Sequence, residues 1–152
     1  MNLEFLDKVI HELSACNADF EVLLQEEVAV LKNGIDGDEG LLKDIEFRSE
    51  QCRQKMDSLK DLIFKTLISS GCVPDEYLRQ RVSECFTNDD SYVAASKIAG
   101  LLEYYKILNI RVDTGKIVDC VLRASKGNSK LLAEILSGMR RDFRDFYTWG
   151  WF

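Results

Sequence analysis

Apolar residues recur at steps of three and four along most of the chain, a pattern that predicts amphipathic α-helices. A first stripe runs from Leu6 to Val30, and its steps alternate as in the heptad repeat of a coiled coil. A second stripe of the same rhythm runs from Leu42 to Thr66. Residues 33–40, rich in glycine and aspartate, separate the two stripes and predict a reversal of the chain. The two helices are therefore expected to form an antiparallel hairpin with coiled-coil-like packing. The first stripe consists of Leu6, Val9, Leu13, Cys16, Phe20, Leu23, Glu27 and Val30.

The second half of the chain predicts further helices. Pro74, the only proline, suits the first turn of a shorter third helix, because its missing N–H is not needed there. Ser91 is a candidate N-cap for a long fourth helix that continues to Leu122. Gly115 predicts a kink in it, since glycine costs about 1 kcal/mol relative to alanine inside a helix. With no alternating stretch long enough for a strand, the predicted fold class is all-α, a bundle of long helices.

Residues 129–152 come after the hairpin and the long fourth helix are complete, and residues 1–152 are otherwise expected to form a single domain. This terminal segment combines an amphipathic helix with an aromatic tail that has four aromatic residues among its last six. So much apolar area is unfavourable in water, at about 25 cal/mol per Å². Two interpretations remain open. The segment folds back as a core helix, or it is mobile and offers its apolar face to a partner helix.

Charge and cysteine usage exclude several classes of function. Twenty Lys plus Arg against 26 Asp plus Glu give a net charge of -6, so no basic field is expected to bind nucleic acid. No apolar run approaches the roughly 20 residues needed to cross a bilayer, and the first residues form no signal peptide. The five cysteines are scattered, without a Cys-x-x-Cys pair. The sequence therefore predicts a cytoplasmic protein with no membrane insertion and no disulfide or zinc framework.

Catalytic chemistry has little support in the sequence. The chain has one histidine, no nucleophile elbow, no phosphate-binding glycine loop and no His-Glu-x-x-His motif. A metal-dependent helical-bundle enzyme is the weakest alternative, because the Glu-x-x-His element of such bundles does not occur. The expectation is that the protein is not an enzyme and uses no cofactor or metal.

Most of the chain resembles a known family. Its first helix ends in Leu23–Gly34 with the acidic pair Glu26-Glu27, and a short acidic turn then leads into a heptad helix that begins Leu41–Ile45. This layout is similar to the FlgN family of flagellar type III export chaperones. A later family motif finds a counterpart in Leu108-Asn109 followed by Gly115-Lys116-Ile117-Val118. The likeness covers roughly residues 3–136, and Ser49 stands where the family usually has lysine.

The resemblance implies a cytoplasmic chaperone for flagellar hook-filament junction proteins. Such a chaperone holds the C-terminal helices of these proteins and passes them to the type III export gate. Carried over to this chain, the resemblance places the cargo-binding face on the last amphipathic helix and gate docking at Tyr147 and Trp149. The alternative is a self-associating coiled-coil adaptor or structural protein, in which the same stripes pair two copies in a homodimer. The implied cargo-binding residues are Leu131, Leu132, Ile135, Leu136, Met139 and Phe143.

Overall fold

A computed structural model gives the fold of residues 1–33 and 39–148, with the side chains of Asn88 and of residues 142–148 outside what it describes. In this part of the chain the structure has six α-helices and no strand, which confirms the predicted all-α class. The helices are α1 Leu3–Lys32, α2 Glu39–Ser70, α3 Glu76–Ser83, α4 Asn88–Ile107, α5 Thr114–Ser125 and α6 Ser129–Thr148.

The chain forms two compact units, residues 2–63 and residues 64–152 together with Met1. The boundary falls inside α2, between Ile63 and Phe64. This boundary has no signal in the sequence, because the buried apolar pattern continues through Ile63 and Leu67 without a break. That residues 1–152 act as a single domain stays a prediction.

The first unit is the helical hairpin of α1 and most of α2. The side chain of Asn2 caps α1 by accepting a hydrogen bond from the Phe5 N–H at 3.1 Å. Arg48 of α2 donates to Glu26 of α1 at 3.3 Å. The guanidinium of Arg53 lies over the ring of Phe20, 5.7 Å from its centroid. Because the later residue of α2 meets the earlier residue of α1, the two helices run antiparallel. The buried residues of the hairpin are Leu6, Val9, Leu13, Cys16, Leu23, Ile45, Ser49, Met56, Leu59 and Ile63.

The second unit is built around α4, which contacts both α3 and α6. Gly100 of α4 also lies against the end of α2, so close that a Cβ added to it would stand 2.9 Å from the carbonyl oxygen of Leu67. A helix with neighbours on several sides must be apolar on several faces, and α4 is. Its buried residues are Ala94, Ala95, Ile98, Leu101, Tyr104 and Tyr105.

The predicted long fourth helix is wrong, because two helices occupy its span. The α4 helix ends at Ile107, and Asn109 adopts a left-handed backbone conformation with φ of 55°. Asparagine is among the few residues that tolerate this region. The Asp113 side chain then caps α5 by accepting a hydrogen bond from the Lys116 N–H at 3.1 Å. The break therefore precedes Gly115, and the apolar periodicity, which continues across it, concealed it.

The start of α4 also differs from the prediction. The helix begins at Asn88 with Thr87 at the N-cap position, whereas Ser91 lies inside its first turn. The Ser91 N–H donates to the Thr87 carbonyl at 2.8 Å, which is an ordinary helical hydrogen bond. Two acidic residues in the first turn, Asp89 and Asp90, favour this earlier start, because carboxylates stabilise a helix N-terminus.

Candidate protein-binding surface

The cargo-binding face implied by the resemblance lies on α6. Four of its six residues are buried, with exposed fractions of 1% for Leu132, 8% for Ile135, 1% for Leu136 and 1% for Met139. Leu131 is half-buried. Because α6 packs against α5 and α4, this face is part of the core of the second unit. In this conformation the four buried side chains have no free surface for a cargo helix, and their role in cargo binding stays a prediction.

Polar and aromatic contacts add to the apolar packing that holds α6. The hydroxyl of Tyr105 in α4 donates a hydrogen bond to the carbonyl oxygen of Met139 at 2.8 Å. The guanidinium of Arg140 lies 5.8 Å from the ring centroid of Phe64. The Phe64 ring in turn packs edge-on against Tyr104 at 5.5 Å. Between residues 132 and 140, α6 is therefore fixed to α4 and to the end of α2.

Three of the predicted functional side chains lie outside the described residues. These are Phe143 of the cargo face and the two gate-docking aromatics, Tyr147 and Trp149. The predictions about them are neither supported nor contradicted by the structure.

A further apolar surface, not among the predicted site residues, lies on α1. Leu24, Val28 and Leu31 are exposed by 41%, 51% and 61% in the whole chain. They are spaced i, i+4 and i+7, which places them on one side of the helix. A surface cavity of about 400 Å³ runs along this side, lined by Leu24, Gln25, Val28, Ala29 and Lys32. We refer to Leu24, Val28 and Leu31 as the α1 ridge.

The heptad of α1 carries the signal that could have revealed the ridge. Leu24 and Leu31 directly follow the core positions Leu23 and Val30, and Val28 directly follows the core position of Glu27. In a helix that packs against one partner, the positions beside the core are commonly charged. Apolar residues at all three positions indicate a second contact face beside the first.

Carboxylates border the ridge. Glu21 precedes Leu24 by three residues and Glu27 precedes Leu31 by four, so both are neighbours of the ridge on the helix surface. Within the part of the chain that the structure describes, neither has an ion pair. Glu26, by contrast, is bound to Arg48, which also donates to Asp44 at 3.0 Å. The ridge therefore has two uncompensated negative charges along its border.

Each of the two units contains one further cavity. The first, about 440 Å³, follows the groove between α1 and α2 and is lined by Cys16, Leu23, Glu26, Arg48 and Cys52 among others. The second, about 500 Å³, lies beside the α4–α5 break. Its lining includes Leu78, Leu102, Glu103, Lys106 and Arg111. Both cavities are lined by apolar and charged side chains together.

Two thiols among the described residues have a raised pKa, and the search of those residues for a metal site found none. Among the described residues, no group of three or more His, Cys, Asp or Glu side chains is placed to hold a metal ion. Burial raises the pKa of the Cys72 thiol, and the nearby charge of Glu103 raises it further. Burial also raises the pKa of Cys120, although Arg123 opposes the shift. A raised pKa keeps these thiols protonated at neutral pH, and a protonated thiol is a poor nucleophile.

Among the described residues, no helix combines the length and the apolar character needed to cross a membrane. Comparison of the chain with protein-family models, with curated proteins and with solved structures gives no match. The resemblance to the flagellar export chaperones therefore stays a prediction from the sequence.

Proposed function

We propose that the chain is a cytoplasmic, non-catalytic export chaperone that binds the C-terminal helices of flagellar hook-filament junction proteins and delivers them to the type III export gate. The observation that carries the proposal is the α1 ridge, a contiguous apolar surface exposed on a long helical hairpin. Contiguous exposed apolar surface marks sites of protein interaction. The spacing i, i+4, i+7 is that of helix-on-helix recognition. The resemblance of residues 3–136 to the chaperone family supplies the class of partner.

The physical logic of such a chaperone fits an exposed apolar face. Cargo helices that assemble through coiled-coil contacts expose their apolar seams before assembly, and exposed seams aggregate. A helix with apolar residues at matching spacing covers such a seam by the same contacts that the assembled filament uses. Because these contacts are non-covalent and extend over only a short stretch of helix, the cargo can be released again at the export gate.

The proposal places the first contact with cargo on α1. The predicted cargo face on α6 is buried against α4 and α5, so its use by cargo requires α6 to leave its own unit. The α1 ridge needs no such rearrangement. Docking on the export gate through Tyr147 and Trp149 rests on the resemblance alone.

A second candidate function uses the same surface. If the ridge pairs with the ridge of another copy, the chain is a self-associating coiled-coil adaptor or structural protein. The observation that favours it is again the apolar residues beside the heptad core, which also suit a homodimer. Sedimentation across a range of concentrations separates the candidates, because the adaptor dimerises and the chaperone stays monomeric without cargo.

The test of the chaperone proposal uses purified proteins. The chain is mixed with a hook-filament junction protein from the same organism, and the complex is measured by size-exclusion chromatography with light scattering. The control is the same junction protein without its C-terminal helices. We expect a stable complex with the intact protein and none with the truncated one. If the intact junction protein also fails to bind the chain, the proposal is wrong.

A further inference from the structure

The apolar surface of α1 between residues 23 and 31 is wider than one neighbouring helix can cover. Leu23 is buried, whereas Leu24, about 100° away around the helix axis, is exposed. Val30, half-buried, and Leu31, exposed, repeat this relationship one heptad later. A helix with two adjoining apolar faces packs between two neighbours. The α2 helix is one neighbour, since Arg48 donates to Glu26 in this region, and the place of the second is open to solvent.

The charge along the ridge indicates the chemistry of the missing neighbour. Glu21 and Glu27 border the ridge without ion pairs in the described part of the chain, and Lys32 at its end is the one cation among its helical neighbours. Residues beside the core of a helical pair set partner choice through their charges. Lysine or arginine on the incoming helix would meet these carboxylates.

We propose that the α1 ridge binds an amphipathic helix of another protein whose apolar seam is flanked by lysine or arginine. This inference rests on the proposed chaperone function and adds the site on α1 and the charge of the cargo helix. The ridge covers seven steps of the helix, about 10 Å at 1.5 Å per residue, so about two turns of the partner lie on it. A second copy of this chain fits less well, because it has the same border carboxylates and a net charge of -6.

Two synthetic peptides probe the charge of the partner. Both have three heptads with the same leucine and isoleucine seam, and they differ only in flanking residues, which are lysine in one and glutamate in the other. We expect the full chain to bind the lysine-flanked peptide at least tenfold more tightly at low salt, with a smaller difference at high salt because exposed charges are screened. The double variant Glu21→Lys/Glu27→Lys should reverse this preference. Equal affinity for both peptides would overturn the inference.

Substitution of the ridge probes its location. The triple variant Leu24→Gln/Val28→Gln/Leu31→Gln should lower the affinity for the lysine-flanked peptide tenfold or more. Phe47→Gln is the control, because Phe47 is an apolar residue of the same unit, on α2, that is at least as exposed as each ridge residue. It should leave the affinity unchanged. Circular dichroism verifies that each variant keeps its helical content. If the triple variant loses helical content, the affinity of the single variant Val28→Gln is measured in its place. Unchanged binding by a folded ridge variant contradicts the inference.

Parallel measurements separate this inference from the proposed function. If a hook-filament junction protein binds the folded ridge variant as tightly as the unaltered chain, the chaperone proposal stands and the site on α1 is wrong. If the lysine-flanked peptide binds through the ridge while no junction protein binds, the site is right and the proposed function is wrong. A dimer that the ridge substitutions dissociate would identify the occupant as a second copy and overturn the inference.

Discussion

The hydroxyl of Tyr105 donates a hydrogen bond to the backbone carbonyl of Met139 at 2.8 Å, and both residues are buried. This contact joins α4 to α6 across 34 residues of sequence. Together with the burial of Leu132 and Leu136, it shows why α6 belongs to the core of the second unit. The helix that the resemblance assigns to cargo is thus the helix that this unit needs for its own packing.

Tyr105→Phe should destabilise the second unit. The substitution keeps the ring and removes the hydroxyl, so the expected loss is about 0.5–1.5 kcal/mol in the free energy of unfolding. Urea denaturation followed by circular dichroism measures it. Tyr92→Phe is the control, because Tyr92 is exposed and should change stability very little. Equal stability of the two variants would mean that the Tyr105 contact contributes nothing.

Gly100→Ala should destabilise the protein although alanine is the better helix former. A Cβ at Gly100 meets the carbonyl oxygen of Leu67 at 2.9 Å, so α4 and the end of α2 must separate. Gly40→Ala is the matched control, since a Cβ there meets nothing within 4 Å. It should be neutral or raise stability by up to about 1 kcal/mol. Thermal unfolding measures the melting temperature of both variants. A shift of both melting temperatures in the same direction would contradict the prediction.

Ser49→Ala should stabilise the hairpin. Ser49 is 3% exposed, and its hydroxyl has no hydrogen-bond partner among the described residues. An unsatisfied buried polar group costs about 1–3 kcal/mol, and alanine removes the hydroxyl while leaving little space. We expect an increase of about 1 kcal/mol in the free energy of unfolding, measured by urea denaturation. A decrease would show that a bound water or a partner satisfies the hydroxyl in solution.

The buried thiols predict a loss of stability at alkaline pH. Burial raises the pKa of Cys120 in the folded chain above its ordinary value of 9.0, so the folded state holds the thiol proton more tightly than the unfolded state. This contribution to stability is complete below about pH 9 and is lost as the pH rises through the folded pKa. Unfolding at pH 7.5 and at pH 10 in reducing buffer measures the difference. Cys120→Ala should show a smaller loss between the two pH values, whereas an equal loss would assign the effect to other groups.

Periodicity predicted much of the fold, because buried helix faces repeat every three to four residues. It predicted the hairpin and the last helix. It could not predict the break at Asn109, since the apolar rhythm continues past a single left-handed residue. Nor could it decide whether the apolar face of α6 is buried or exposed. That depends on neighbours such as Tyr105, which lie far away in sequence.

The candidate surface was harder to predict than the helices. A core stripe and a binding stripe have the same residue types and the same spacing, so the pattern does not separate them. The cargo face that the resemblance implies lies on α6, where four of its residues are buried. The α1 ridge does not stand out in the sequence, because Leu24 and Leu31 adjoin core residues and look like an extension of the core stripe. Only the exposed fractions of the side chains separate the two.

Calorimetric titration of the purified chain with the C-terminal helical segment of a hook-filament junction protein tests the central claim most directly. The ridge variant Leu24→Gln/Val28→Gln/Leu31→Gln is titrated alongside it. We predict one-to-one binding to the unaltered chain and a loss of tenfold or more in affinity for the folded variant. Absence of binding to the unaltered chain would contradict the proposed function, and equal binding by the two proteins would contradict the assignment of the ridge.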